Sequence, residues 1–173
     1  MVKIRKYSLS ELAEKLTVLS EMECCLAYGG FDCYFDCLAH ASKQMSCGYS
    51  YSDYTTAYVQ QYGMASYVNG VTPAQAVAFT QSSFTYASPI TTSNVHLALG
   101  TNNQVMIIVP TTVNGELHAV MATNVRTNSR GETYVDYYDP SKNLYGSTSL
   151  SNITHAIGFS GCTEPGSNSV PNY

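Results

Sequence analysis

Cys33 stands near the start of a helix-forming run, "FDCYFDCLAHASKQM" at residues 31–45, and a cysteine so placed has an identifiable chemistry. Asp32 suits the N-cap, which puts Cys33 in the first turn. The unpaired amide N–H groups and the helix dipole there favour a thiolate, the nucleophilic form of the side chain. Cys37 lies a turn further in, where that field has decayed, so of the two Cys33 is the favoured nucleophile. The competing reading is packing: cysteine is among the most buried residue types, and one apolar helix face can hold both.

A nucleophilic thiol needs a histidine to take up and return its proton, and that histidine needs a partner to orient it. His118 opens the run "HAVMATNV", and Asp139 closes "ETYVDYYDP". Both runs have strand character, and "NSRG" at 128–131 reads as the turn between them. His118 and Asp139 each lie about ten residues from that turn, on opposite arms, so antiparallel pairing sets them roughly side by side. His96 and His155 have no acid at useful spacing. Cys33, Cys37 and His40 share a helix face and, with Cys47, make a conceivable zinc set. Ligands spread over two helical turns span about 10 Å, too far to converge on one ion. No metal site and no cofactor is expected.

Elements must position these groups. Residues 8–26 read as an amphipathic helix capped by Ser10, with Leu12, Leu16, Leu19, Met22 and Leu26 at spacings of three and four. Gly29 and Gly30 end it, and composition changes there. Further helices are expected at 31–45, from near Asp53 to Gly63, from Thr72 and Pro73 through "VTPAQAVAFTQ", and in "TSNVHLALG" between Ser93 and Gly100. Strand signals follow: "QVMIIVPT", "LHAVMATNVRT", "ETYVDYYDP" and, near the C-terminus, "HAIGFSGC". "TTVNGEL" carries Asn-Gly, the strongest short hairpin signal. Helices first and an antiparallel meander second define an α+β domain. Residues 162–173 read as a loose tail.

Composition narrows the class. The chain has 173 residues, enough for one domain with its own core. Charged residues make up only 12%, with Tyr, Ser, Thr and Asn in their place, a leaning toward secreted proteins. The net charge of -4, without a basic cluster beyond "KIRK", argues against a nucleic-acid partner. No run is apolar and long enough to be a transmembrane segment, and "SLSELAEKLTVLSEMECC" lacks the apolar core of an ordinary secretory signal.

The order of these features resembles the papain-like cysteine peptidases, most closely the bacteriocin-processing (double-glycine peptidase) type. The residues that carry the likeness are a helix-start cysteine, a histidine in "HAV" and an aspartate in "DP", falling on Cys33, His118 and Asp139 over residues 31 to about 160. The resemblance implies a papain-like fold of N-terminal helices on a C-terminal antiparallel sheet. It implies a Cys-His-Asp hydrolase acting on a peptide or protein through an acyl-enzyme. One position departs from the pattern: the family carries a glutamine about six residues before the cysteine, and Ala27 stands here. An oxyanion donor then has to come from elsewhere, or from backbone N–H groups at the helix start.

Residues 1–30 carry a second resemblance, to the double-glycine leaders that direct bacterial peptides to peptidase-containing ABC exporters. Such leaders are acidic, leucine-bearing helices cut after Gly-Gly, here Gly29-Gly30, which leaves Phe31 as the new N-terminus of a mature domain, 31–173. A secreted protein is implied; an intact helix with a glycine C-cap, in a cytoplasmic protein, is the competing expectation. The rival to the hydrolase is a secreted binding protein or antagonistic toxin that keeps the papain-like fold with little or no turnover. The abundance of Tyr, Asn and Ser suits such recognition.

Overall fold

The computed structural model describes residues 31–167, apart from 102 and 112–116. Helix α1 spans Phe31–Gln44, α2 Tyr51–Tyr62, α3 Met64–Asn69 and α4 Pro73–Ser83. Strand β1 (Tyr86–Ile90) follows, then a 3-10 turn (Thr92–Asn94) that runs into α5 (Val95–Gly100). The remaining strands are β2 (Gln104–Pro110), β3 (Leu117–Thr127), β4 (Thr133–Asp139), β5 (Leu144–Ser149) and β6 (His155–Ser160). The domain is α+β, with helices packed on one six-stranded antiparallel sheet of order β1-β6-β2-β3-β4-β5. Among the described residues no helix is long and apolar enough to cross a membrane. The expected helix 8–26, Gly29-Gly30 and the Asn-Gly hairpin all lie outside the described residues.

Capping residues set the helix starts. Ser50 and Asp53 cap each other at the head of α2, so Asp53 is the third helical residue and not its start. Thr72 and Gln75 form the same reciprocal pair at α4, with Pro73 in the first turn. Asp32 falls inside the first turn of α1, because the helix already includes Phe31; it is not the N-cap. Cys33 keeps its first-turn position.

Two apolar layers sandwich the sheet. On one face Met106, Ala119, Met121, Ile157 and Phe159 meet the buried side of α1, where Cys33, Phe35, Cys37, Leu38 and Ala41 are packed. On the other face Val105, Ile107, Val109, Val120, Ala122 and Val135 meet Val95 of α5. Phe35 is fully buried, with the rings of Tyr34, Tyr51, Tyr58, Tyr67 and Phe79 around it at 5.1–6.3 Å between centroids. Removing that ring would cost roughly 3–5 kcal/mol, and α1 would lose its seat. The Tyr34 hydroxyl adds a buried bond to the Ala76 carbonyl at 3.0 Å, pinning α1 to α4.

A disulfide joins Cys47, just beyond α1, to Cys162, just beyond β6. The supposed loose tail is therefore held over its first residues. Gly166 N–H donates to Ser83 Oγ at 3.2 Å, and Thr163 N–H to the Ser83 carbonyl at 3.4 Å. Residues 168–173 lie outside the described residues.

Candidate active site

The site is built where α1 crosses the β3–β4 pair. Near their turn the two strands pair Val125 with Val135, but beyond a bulge between Ala122 and Asn124 they pair Met121 with Tyr138. The extra residue matters because side chains alternate faces along a strand. Without it, His118 and Asp139 would project to opposite sides of the sheet. With it, Asp139 comes opposite Val120, and His118 is its diagonal neighbour on the same face. His118 Nε2 and Asp139 Oδ2 are 2.7 Å apart.

Asp139 is buried, and its other oxygen is also engaged. Oδ1 accepts from the N–H of Ser141 at 3.1 Å and of Lys142 at 3.3 Å, while Lys142 Nζ stands 3.9 Å from Oδ2. An aspartate that bonds the backbone two and three residues on is the usual chemistry of an Asp-Pro turn. That cradle was missed in the sequence, although the "DPSK" context carries the signal for it. It holds the carboxylate so that one oxygen remains for the imidazole.

Cys33 Sγ accepts the N–H of Ala119, the residue after His118, at 3.3 Å. His118 and Asp139 are thus in direct contact, and the Cys33 sulfur lies against the backbone of the residue that follows His118. Cys33 is only 5% exposed. Burial pushes its thiol up to about 11; the N–H groups of Ala119 and Tyr34 pull the other way, and the charges of Asp139 and Asp36 add to the rise. The expected lowering by the helix start is present in direction, through Tyr34, but desolvation outweighs it. Cys37 is completely buried among core residues, and burial raises its thiol.

Asp36, one turn beyond Cys33, is half-buried; burial raises its carboxyl and a bond with Ser141 opposes the rise. The other histidines sit elsewhere. His40 packs its ring on Tyr138 at 4.7 Å, His96 bonds the Ser93 carbonyl at 2.9 Å, and His155 is exposed at the start of β6. Cys47 is committed to its disulfide, which removes it from any zinc set. Among the described residues no group of three His, Cys, Asp or Glu side chains is placed to hold a metal ion.

No protein-family model matches the chain, and no curated protein matches it.

Proposed function

We propose that the chain is a cysteine hydrolase on a papain-like fold, with peptide bonds as its default substrate. Two contacts support this reading. His118 is tied to Asp139 at 2.7 Å, and the sulfur of Cys33 rests on the N–H of the very next residue at 3.3 Å. Because Nε2 is engaged by the carboxylate, Nδ1 is the nitrogen left to exchange protons.

In the reaction Cys33 attacks a carbonyl carbon while its proton passes to His118 Nδ1. The tetrahedral oxyanion collapses, the C–N bond breaks, and the imidazolium returns the proton to the departing amine. Water then adds to the thioester, giving a proton to His118, and the thiol leaves with that proton restored. Asp139 holds the tautomer and stabilises the imidazolium throughout. Burial keeps the resting thiol protonated, so its proton departs only as the histidine takes it.

The reading extends to residues 1–30 as a double-glycine leader cut after Gly30, and to export as a secreted protein. The Cys47–Cys162 disulfide supports export, since such bonds persist in oxidising compartments. Protein recovered from culture medium should begin at Phe31; intact Met1 there would exclude processing.

The same fold without turnover, as a binding or antagonistic protein, is favoured by one observation: a thiol 5% exposed whose pKa is pushed up to about 11. Iodoacetamide labelling at pH 7 separates the two. A nucleophile assisted by His118 labels at Cys33 in preference to Cys37, and His118→Ala slows that labelling by about a hundredfold, the lower end of general-base assistance. Labelling indifferent to His118 would leave the binding protein.

A further inference from the structure

Beside the site lies a groove of about 570 Å³ whose walls include Asp36, His40, Lys43, Tyr49, Tyr138 and Pro140. This volume is within the range of small-ligand and peptide-side-chain sites. Two of its lining residues relate it to the proposed site. Asp36 is close enough to Cys33 to act on its thiol, and Pro140 follows Asp139 directly.

Its charges are ordered along α1. Asp36 and Lys43 are seven residues apart on that helix, about 10 Å at 1.5 Å per residue. Between them the wall is aromatic: the His40 ring lies on Tyr138, and Tyr138 in turn lies 5.1 Å from Tyr145, which is 78% exposed on the edge strand β5. Burial and the nearby Lys43 both lower the pKa of His40, which favours the neutral ring as part of the wall. The groove thus offers a carboxylate at the Cys33 end, ring faces along its length and an ammonium group at the far end. Arginine fits the first two features at once, because a guanidinium both bonds carboxylates and stacks on rings. An extended chain advances about 3.3 Å per residue, so a carboxylate three residues away would reach Lys43.

We propose that this groove binds an extended peptide segment carrying an arginine at the Asp36 end and an acidic group three residues away at Lys43. The proposal rests on the hydrolase reading only for what happens next to the bound segment; binding itself does not require turnover.

The test uses the full chain with Cys33→Ala, which binds without reacting. A fluorescein-labelled peptide with Arg and Glu three residues apart is compared, by anisotropy, with its Arg→Gln and Glu→Gln forms. Asp36→Asn should weaken the Arg peptide about tenfold and leave the Arg→Gln peptide unchanged, as loss of one charged hydrogen bond requires. Lys43→Met should do the same with respect to the glutamate. No binding of the Arg/Glu peptide, or equal weakening of all peptides by Asp36→Asn, would overturn the proposal. Failure of the hydrolase reading would appear separately, as absent cleavage or acylation in the unsubstituted protein while binding persists.

Discussion

Replacing Asp139 by asparagine tests the core of the site while disturbing almost nothing else. The side chain is buried and accepts two backbone N–H groups, from Ser141 and Lys142, on Oδ1. Asparagine can keep those bonds only by placing its carbonyl oxygen there. Its NH2 group then faces His118 Nε2, now 2.7 Å from a carboxylate oxygen, and must donate to it. The proton of the neutral imidazole is forced onto Nδ1, the atom that would receive the thiol proton. Loss of the charged bond should cost about 1–2 kcal/mol in stability, leaving the fold intact. Loss of the base should slow Cys33 chemistry by on the order of 10²–10⁴. Long-range proton–nitrogen NMR of the imidazole reads the tautomer, and iodoacetamide labelling of Cys33 at pH 7 reads the rate. A switched tautomer with labelling at the rate of the unsubstituted protein would refute the reasoning.

Alkaline pH should unfold the protein in stages set by its buried acids. Burial raises the Cys33 thiol to about 11 and the Tyr54 and Tyr58 phenols to about 12, and it raises the Cys37 thiol and the Tyr34 phenol as well. Each keeps its proton in the fold after the unfolded chain has lost it, so stability falls as pH rises through this window. Cys33 alone contributes a decline of about 2–3 kcal/mol between pH 9 and 11; urea unfolding of Cys33→Ala should show a shallower slope there, and an unchanged slope would contradict it. Paired replacement of Cys47 and Cys162 by serine should lower stability by roughly 2–5 kcal/mol, because the bond closes a loop of sequence separation 115. Equal urea midpoints with and without the bond would argue that it contributes nothing.

Local signals carried much of this architecture. The cap at Thr72, the stop at Gly63, the strand runs and the turn at 128–131 are all set by residues within a few positions of one another. His118 and Asp139 could be placed near each other because a single turn separates their strands. The bulge that puts them on one face was not legible, since nothing in "MATN" distinguishes a bulged residue from a regular one. Three elements escaped for different reasons. Strand β1, "YASPI", contains proline and finds its partner β6 about 70 residues away; β5, "LYGSTS", is a polar edge strand; α3, "MASYVN", has only 6 residues. The pairing of Cys47 with Cys162 depends on how the chain returns to the end of α1, which spacing alone does not encode. The Cys33 thiol shows the same limit. Its helix position is local and readable, whereas the desolvation that dominates its pKa comes from packing against the sheet.

Whether Cys33 forms an acyl-enzyme tests the account most directly. Brief exposure of the protein to an activated peptide ester at pH 7, followed by intact mass and peptide mapping, reads the thioester itself. The account predicts one acyl group on Cys33 that water removes with time, absent from Cys33→Ala and formed far more slowly in His118→Ala. No adduct, or acylation whose rate ignores His118, would contradict it.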